Sequence, residues 1–181
     1  MRNIILHHQN IAPNNINIID NNGRGNCLYN SISYHIYSNF NHQRTIQIKI
    51  ANKSLQIANQ IPMITINNNS GINISINLYA KNVFNDGERG GDAEISMILL
   101  IYSDICVATY RLVNNINNKT ILEYEFINIY GNIEDINKTI LILININNNH
   151  WCNGYYEECN EGIIENYIIP SCSLQEKIEK I

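Results

Sequence analysis

The chain has 181 residues, 45% of them hydrophobic and only 15% charged, with a formal net charge of −4 at pH 7. That length and apolar content suit one domain with a buried core, 1–181, and exclude a disordered or supercharged chain. The acidic balance argues against nucleic acid, whose binding needs clustered Lys and Arg.

No apolar run approaches the roughly 20 residues of a membrane span. The opening Met1 to His8 is too short and too soon polar for a signal peptide. Five cysteines, Cys27, Cys106, Cys152, Cys159 and Cys172, are odd in number and scattered. Free thiols in a reducing, cytoplasmic compartment are therefore expected. Ile and Asn are over-represented, which we read as the imprint of an AT-rich genome, and Asn runs are discounted as functional signals.

Ile4 to Ile19 holds short apolar runs broken by Pro13 and Asn14-Asn15, an extended lead-in. Asp20 to Gly25 is a turn, and Leu28, Ile32 and Ile36 then step at helical spacing from Cys27 to about Asn39. Arg44 to Asn59 is ambiguous. Ile46, Ile48 and Ile50 alternate like a strand, while Ala51, Leu55 and Ala58 step like a helix. Pro62 breaks that segment, Asn67 to Gly71 is a loop, and Ile72 to Ile76 reads as an edge strand. After the loop Asp86 to Gly91, Asp92 caps a helix whose face is Ile95, Ile98, Leu99 and Tyr102.

From Ile105 the pattern turns to strand. Cys106 to Val113, an Asn114–Lys119 turn and Thr120 to Ile127 make a hairpin. Thr139 to Ile146 is almost continuously apolar, as a central strand with both faces buried should be. Asn147 to Asn149 ends it, Trp151 to Glu157 returns as a last strand, and Ser173 to Ile181 forms a terminal helix.

One stretch carries chemistry. The turn Gly23-Arg24-Gly25 delivers Cys27 into the first turn of a helix behind Asn26, a favoured N-cap residue. A thiol there sits near the positive end of the helix dipole, roughly half a unit charge, which stabilises the thiolate. The glycines keep side chains away, so the backbone N–H groups of Arg24, Gly25, Asn26 and Cys27 can point at a developing oxyanion. Of the five histidines, His150 alone stands where a loop leaves a buried strand, a suitable mount for a general base. His150, Cys152 and Cys159 lie close in sequence, but no paired Cys-x-x-Cys spacing supports zinc, so no metal is expected.

These residues also carry a resemblance. Gly25-Asn26-Cys27-Leu28-Tyr29, followed by a short polar residue and Ser31-Ile32, resembles the nucleophile segment of OTU (ovarian-tumour) family cysteine proteases. Gly90-Gly91-Asp92-Ala93-Glu94-Ile95, running on to Tyr102, Ile105 and Val107, is similar to the family's Gly-Glu-Ile helix and the strand after it. Asn149-His150-Trp151 resembles its histidine-plus-aromatic segment, and the three matches occur in the family's order between Asp20 and Tyr156.

The resemblance implies an α/β (α+β) OTU-like fold with a central sheet packed between helices, and it favours helix over 44–59. It implies a monomeric deubiquitinase that hydrolyses ubiquitin or polyubiquitin bonds through Cys27 and His150, without a cofactor or membrane. Trp151, Gly90 and Gly91 would line the groove for ubiquitin's glycine-rich tail, with Asp86, Glu88 and Glu94 facing its arginines. In the family the group that orients the histidine commonly lies two residues after it, and an Asp often precedes the cysteine by three. Those positions hold Cys152 and Arg24 here. Asn153 is therefore taken as the orienting residue, reached through a strand bulge, with Asp20 as its rival and Asn149 a third option. The alternatives to a deubiquitinase are a catalytically weak ubiquitin-binding module and a cysteine peptidase for another ubiquitin-like modifier. A viral or parasite effector in the host cytoplasm would fit an AT-rich genome.

Overall fold

The strand Thr139–Ile146 shows most directly how sequence sets the architecture. Leu141, Ile142, Leu143 and Ile144 are all buried in succession, so both faces of the strand are covered. In this computed structural model the described residues are 16–21, 23, 25–66, 71–85, 87, 89–113, 123–131, 138–148 and 150–156. They gather into two compact units, one drawn from Met1–Asp20 with Asp104–Ile181 and the other from Asn21–Ser103.

The first unit is a five-stranded mixed sheet. Its strands are β1 (Ile16–Ile19), β4 (Ile105–Val113), β5 (Glu123–Tyr130), β6 (Thr139–Ile146) and β7 (His150–Tyr156), in the spatial order β1-β7-β6-β4-β5. β6 is central, parallel to β4 and antiparallel to β7. β4 and β5 pair antiparallel, as expected, with a register shift between Thr109 and Tyr110. On one face Ile16, Ala108, Tyr110, Tyr124, Ile142, Ile144 and Cys152 form a buried cluster. Each fully buried Ile or Leu side chain contributes roughly 1.5–3 kcal/mol.

β6 and β7 are joined through Asn147 and Asn148, both left-handed with φ of 54° and 58°. Asn tolerates that conformation better than other non-Gly residues, because its short polar side chain bonds locally. The Asn run set aside as a compositional imprint therefore has a local structural use.

The second unit holds α1 (Cys27–Tyr37), α2 (Gln43–Ile57), a hairpin of β2 (Met63–Ile66) and β3 (Ile72–Ser75), α3 (Ile76–Val83) and α4 (Asp92–Ile101). α2 resolves the ambiguity over 44–59. Ile46, Ile50, Ala51 and Ser54 are buried while Ile48 is 38% exposed, so the helical period wins over the alternation. α3 and β2 were not anticipated. The signal for α3 was present: Ser75 Oγ accepts the Leu78 N–H at 3.2 Å, and Ile76, Tyr79, Ala80 and Val83 are all buried at helical spacing. Ile76 thus opens a helix instead of closing a strand.

Asp92 is the first residue of α4 and Gly91 its N-cap, a correction to the expected cap. Glu94 closes the turn by accepting the Gly91 N–H at 2.6 Å. Lys49 ties three helical segments together, donating to Tyr37 Oη at 3.1 Å and Tyr102 Oη at 2.9 Å. No described helix is long and apolar enough to cross a membrane. The lead-in before Ile16, the Asn67–Ser70 loop, the Asn114–Lys119 turn and the Ser173–Ile181 helix lie outside the described residues.

Candidate active site

In the helical unit Cys27 is the first residue of α1 and is only 2% exposed. The turn before it is held by Asn21, a buried amide that the sequence reading passed over. Its Nδ2 donates to Ser31 Oγ at 3.0 Å and to the Cys27 carbonyl at 3.4 Å, and its Oδ1 accepts the Gly23 N–H at 3.1 Å. One side chain therefore bonds both the turn and the helix it feeds. Two glycines allow this close approach. A Cβ at Gly23 would overlap the Cys27 backbone, and one at Gly25, where φ is +100°, would overlap the Gly87 carbonyl.

Asn26 does not cap α1 with its side chain. Its Oδ1 instead accepts the Gly87 N–H at 3.0 Å and Gln47 Nε2 at 3.3 Å. Its own N–H donates to the Gly23 carbonyl. That group is already engaged, which removes Asn26 from the expected oxyanion donors and leaves Gly25 and Cys27. Arg24, the fourth, lies outside the described residues.

Gly90 packs on α1, since a Cβ there would come within 2.7 Å of Leu28 Cδ2, whereas Gly91 faces open space. Glu94, expected near a substrate tail, is buried and spent on capping α4. Tyr79 is buried beside it; burial first, then the Glu94 carboxylate, push its phenol well above the usual range. Asp86 and Glu88 lie outside the described residues.

In the sheet unit His150 opens β7, and Asp20 follows the last residue of β1. These strands pair antiparallel with Ile19 opposite Asn153 and Ile18 opposite Gly154. Continuing that register sets Asp20 opposite Cys152 and diagonal to His150, on the same face of the sheet. The side chains meet accordingly. Asp20 Oδ1 lies 2.6 Å from His150 Nε2 and accepts from Cys152 Sγ at 3.2 Å. Two donors on one oxygen suit an ionised carboxylate, which can only accept. Nε2 then carries the ring proton, and Nδ1 is the basic nitrogen.

Asn153, the preferred orienting residue, stands elsewhere. β7 runs beside β6 in regular register from His150 to Gly154, without the bulge that choice required. Successive side chains alternate faces, so Asn153 is turned away from His150. It is 1% exposed, and its amide makes no hydrogen bond among the described residues. The carboxylate against the imidazole belongs to Asp20. Trp151 is partly buried next to His150 in β7, opposite Asn145 of β6. Asn149 lies outside the described residues.

No family model matches the chain, and a comparison with curated proteins finds no match either. Solved structures do match. The Hazara virus OTU bound to ubiquitin is 14% identical at a TM-score of 0.57, over 80% of this chain and 83% of that one. The OTU domain of OTUD1 is 14% identical at a TM-score of 0.59, over 85% and 91% of the two chains. An OTU deubiquitinase from Wolbachia pipientis wMel, bound to ubiquitin, is 13% identical at 0.55, over 80% and 98%. The chain has the fold of OTU domains, an α/β architecture whose sheet is five-stranded here, as the sequence resemblance implied.

Proposed function

We propose that the chain is a thiol-dependent deubiquitinase, acting as a monomer through Cys27, His150 and Asp20. The observation that carries this reading is the Asp20–His150 pair, 2.6 Å apart, in a chain with the OTU fold. The ubiquitin-bound neighbours support ubiquitin as the substrate. His150 Nδ1 takes the thiol proton, and the Cys27 sulfur attacks the carbonyl of ubiquitin's terminal glycine. His150 returns the proton to the departing lysine amine as the C–N bond breaks. Water, deprotonated by the same nitrogen, then hydrolyses the thioester and frees the thiol.

Asp20 holds the ring in its tautomer and orientation, the role first assigned to Asn153. The Gly25 and Cys27 N–H groups, with Arg24, stabilise the oxyanion, and Trp151 and Gly91 flank the entering tail. Viral and Wolbachia OTU structures among the neighbours support an effector acting in a host cytoplasm.

The test is a ubiquitin probe with a thiol-reactive C-terminal warhead. We expect an adduct with the wild-type chain and none with Cys27→Ala or His150→Ala. The 2% exposure of Cys27 favours a second reading, a module that binds ubiquitin without cleaving it. Tight ubiquitin binding with no adduct would establish that reading instead.

A further inference from the structure

Three potential metal donors converge at the start of β7. His150 Nε2, Cys152 Sγ and a carboxylate oxygen of Asp20 all lie within 4.8 Å of one another. An imidazole, a thiolate and a carboxylate form a donor set suited to zinc, which takes three protein ligands and a water at an open tetrahedral site. Zinc bonds of about 2.0 to 2.3 Å set tetrahedral donors roughly 3.3 to 3.6 Å apart. Here oxygen and nitrogen are 2.6 Å apart and oxygen and sulfur 3.2 Å. The oxygen–nitrogen and oxygen–sulfur pairs therefore each widen by about 1 Å or less, and nitrogen and sulfur, within 4.8 Å, close on the ion. The Asp20 side chain is 69% exposed beyond the end of β1, and the 30% exposure of His150 gives the ion a path.

We propose that Asp20, His150 and Cys152 form a reversible zinc site that switches the deubiquitinase off. Zinc replaces the contacts of Asp20 with His150 and Cys152, and the Cys152 proton leaves to solvent as the zinc–sulfur bond forms. Ligation through Nε2 puts the remaining ring proton of neutral imidazole on Nδ1. Nδ1 then has no lone pair for the thiol proton, and the base is lost. The regulatory half of this inference rests on the proteolytic reading above; zinc binding itself does not.

The first experiment titrates cobalt(II), then zinc(II), into the full chain carrying Cys27→Ala, which removes the thiol of the proposed nucleophile. We expect a thiolate-to-cobalt absorption band that zinc abolishes. Affinity should fall on the order of 10- to 100-fold or more in Asp20→Asn, His150→Ala and Cys152→Ser. The first two change an exposed and a partly exposed side chain and keep the test decisive if the buried Cys152→Ser unfolds. A band unchanged in Asp20→Asn and His150→Ala overturns the site. The second experiment follows reaction of the wild-type chain with the ubiquitin probe. The rate should fall with added zinc and recover with a chelator. Zinc binding at the trio with an unchanged rate overturns the switch. If the chelated wild-type chain never reacts, the proteolytic reading fails, and the cobalt titration still decides the site.

Discussion

Asp20 Oδ1 and His150 Nε2 are 2.6 Å apart although 130 residues separate them in sequence. The contact follows from antiparallel pairing of β1 with β7, which carries the chain just beyond β1 alongside the start of β7. A carboxylate in this position fixes which ring nitrogen carries the proton.

If Asp20 orients the imidazole, Asp20→Ala should lower kcat/KM for a ubiquitin substrate by on the order of 10²- to 10⁴-fold. Asn153→Ala should leave turnover close to wild type, since its amide is buried and turned away from the ring. Steady-state kinetics on the two variants, side by side, separate the candidates. The reverse ranking would return the role to Asn153.

Asn21→Ala should destabilise the fold by about 1–3 kcal/mol, because it strands the buried partners of one amide. Denaturant unfolding measures the loss. Slower probe capture in a folded Asn21→Ala sample would show that the turn also positions Cys27.

Gly25→Ala adds a Cβ at a φ of +100° and against the Gly87 carbonyl. We expect a loss of at least about 1–3 kcal/mol in thermal or chemical unfolding. Gly91→Ala, at an open position, should unfold within about 1 kcal/mol of wild type.

Asn148 has a φ of 58°, so Asn148→Gly should be tolerated and Asn148→Val should cost about 1–2 kcal/mol. The pair of melting curves tests whether the turn between β6 and β7 depends on left-handed residues.

Burial raises the Tyr102 phenol from 10.0 to about 12, against the opposing hydrogen bond from Lys49. The folded state therefore keeps a proton that the unfolded chain gives up. This contribution is fully present below pH 10 and is lost as pH rises towards about 12. Stability should fall less steeply across that window in Tyr102→Phe, as denaturant melts at successive alkaline pH values would reveal.

Much of this molecule was legible in its residues because the relevant physics is local. The apolar period of α1, the unbroken apolar run of β6 and the position of His150 after it need only neighbours along the chain. α3 was equally local and was missed only because Ile72 to Ile76 was read as one alternating segment. Whether α2 was helix or strand turned on whether Ile48 faced water, which the resemblance favoured and burial decided. The partner of His150 lay beyond any local reading. Nearby Asn153 is directed away by the alternation of β7, while distant Asp20 is delivered by strand pairing. Likewise, nothing in the Asn-rich composition told the structural amide Asn21 from its neighbours, and Asn26, read as a cap, bonds Gly87 and Gln47 instead, because an amide's role depends on which groups surround it once buried. Sequence determined the elements and the residue types of the chemistry; tertiary pairing decided which carboxylate stands against the imidazole, because a hydrogen bond depends on distance through space and not along the chain.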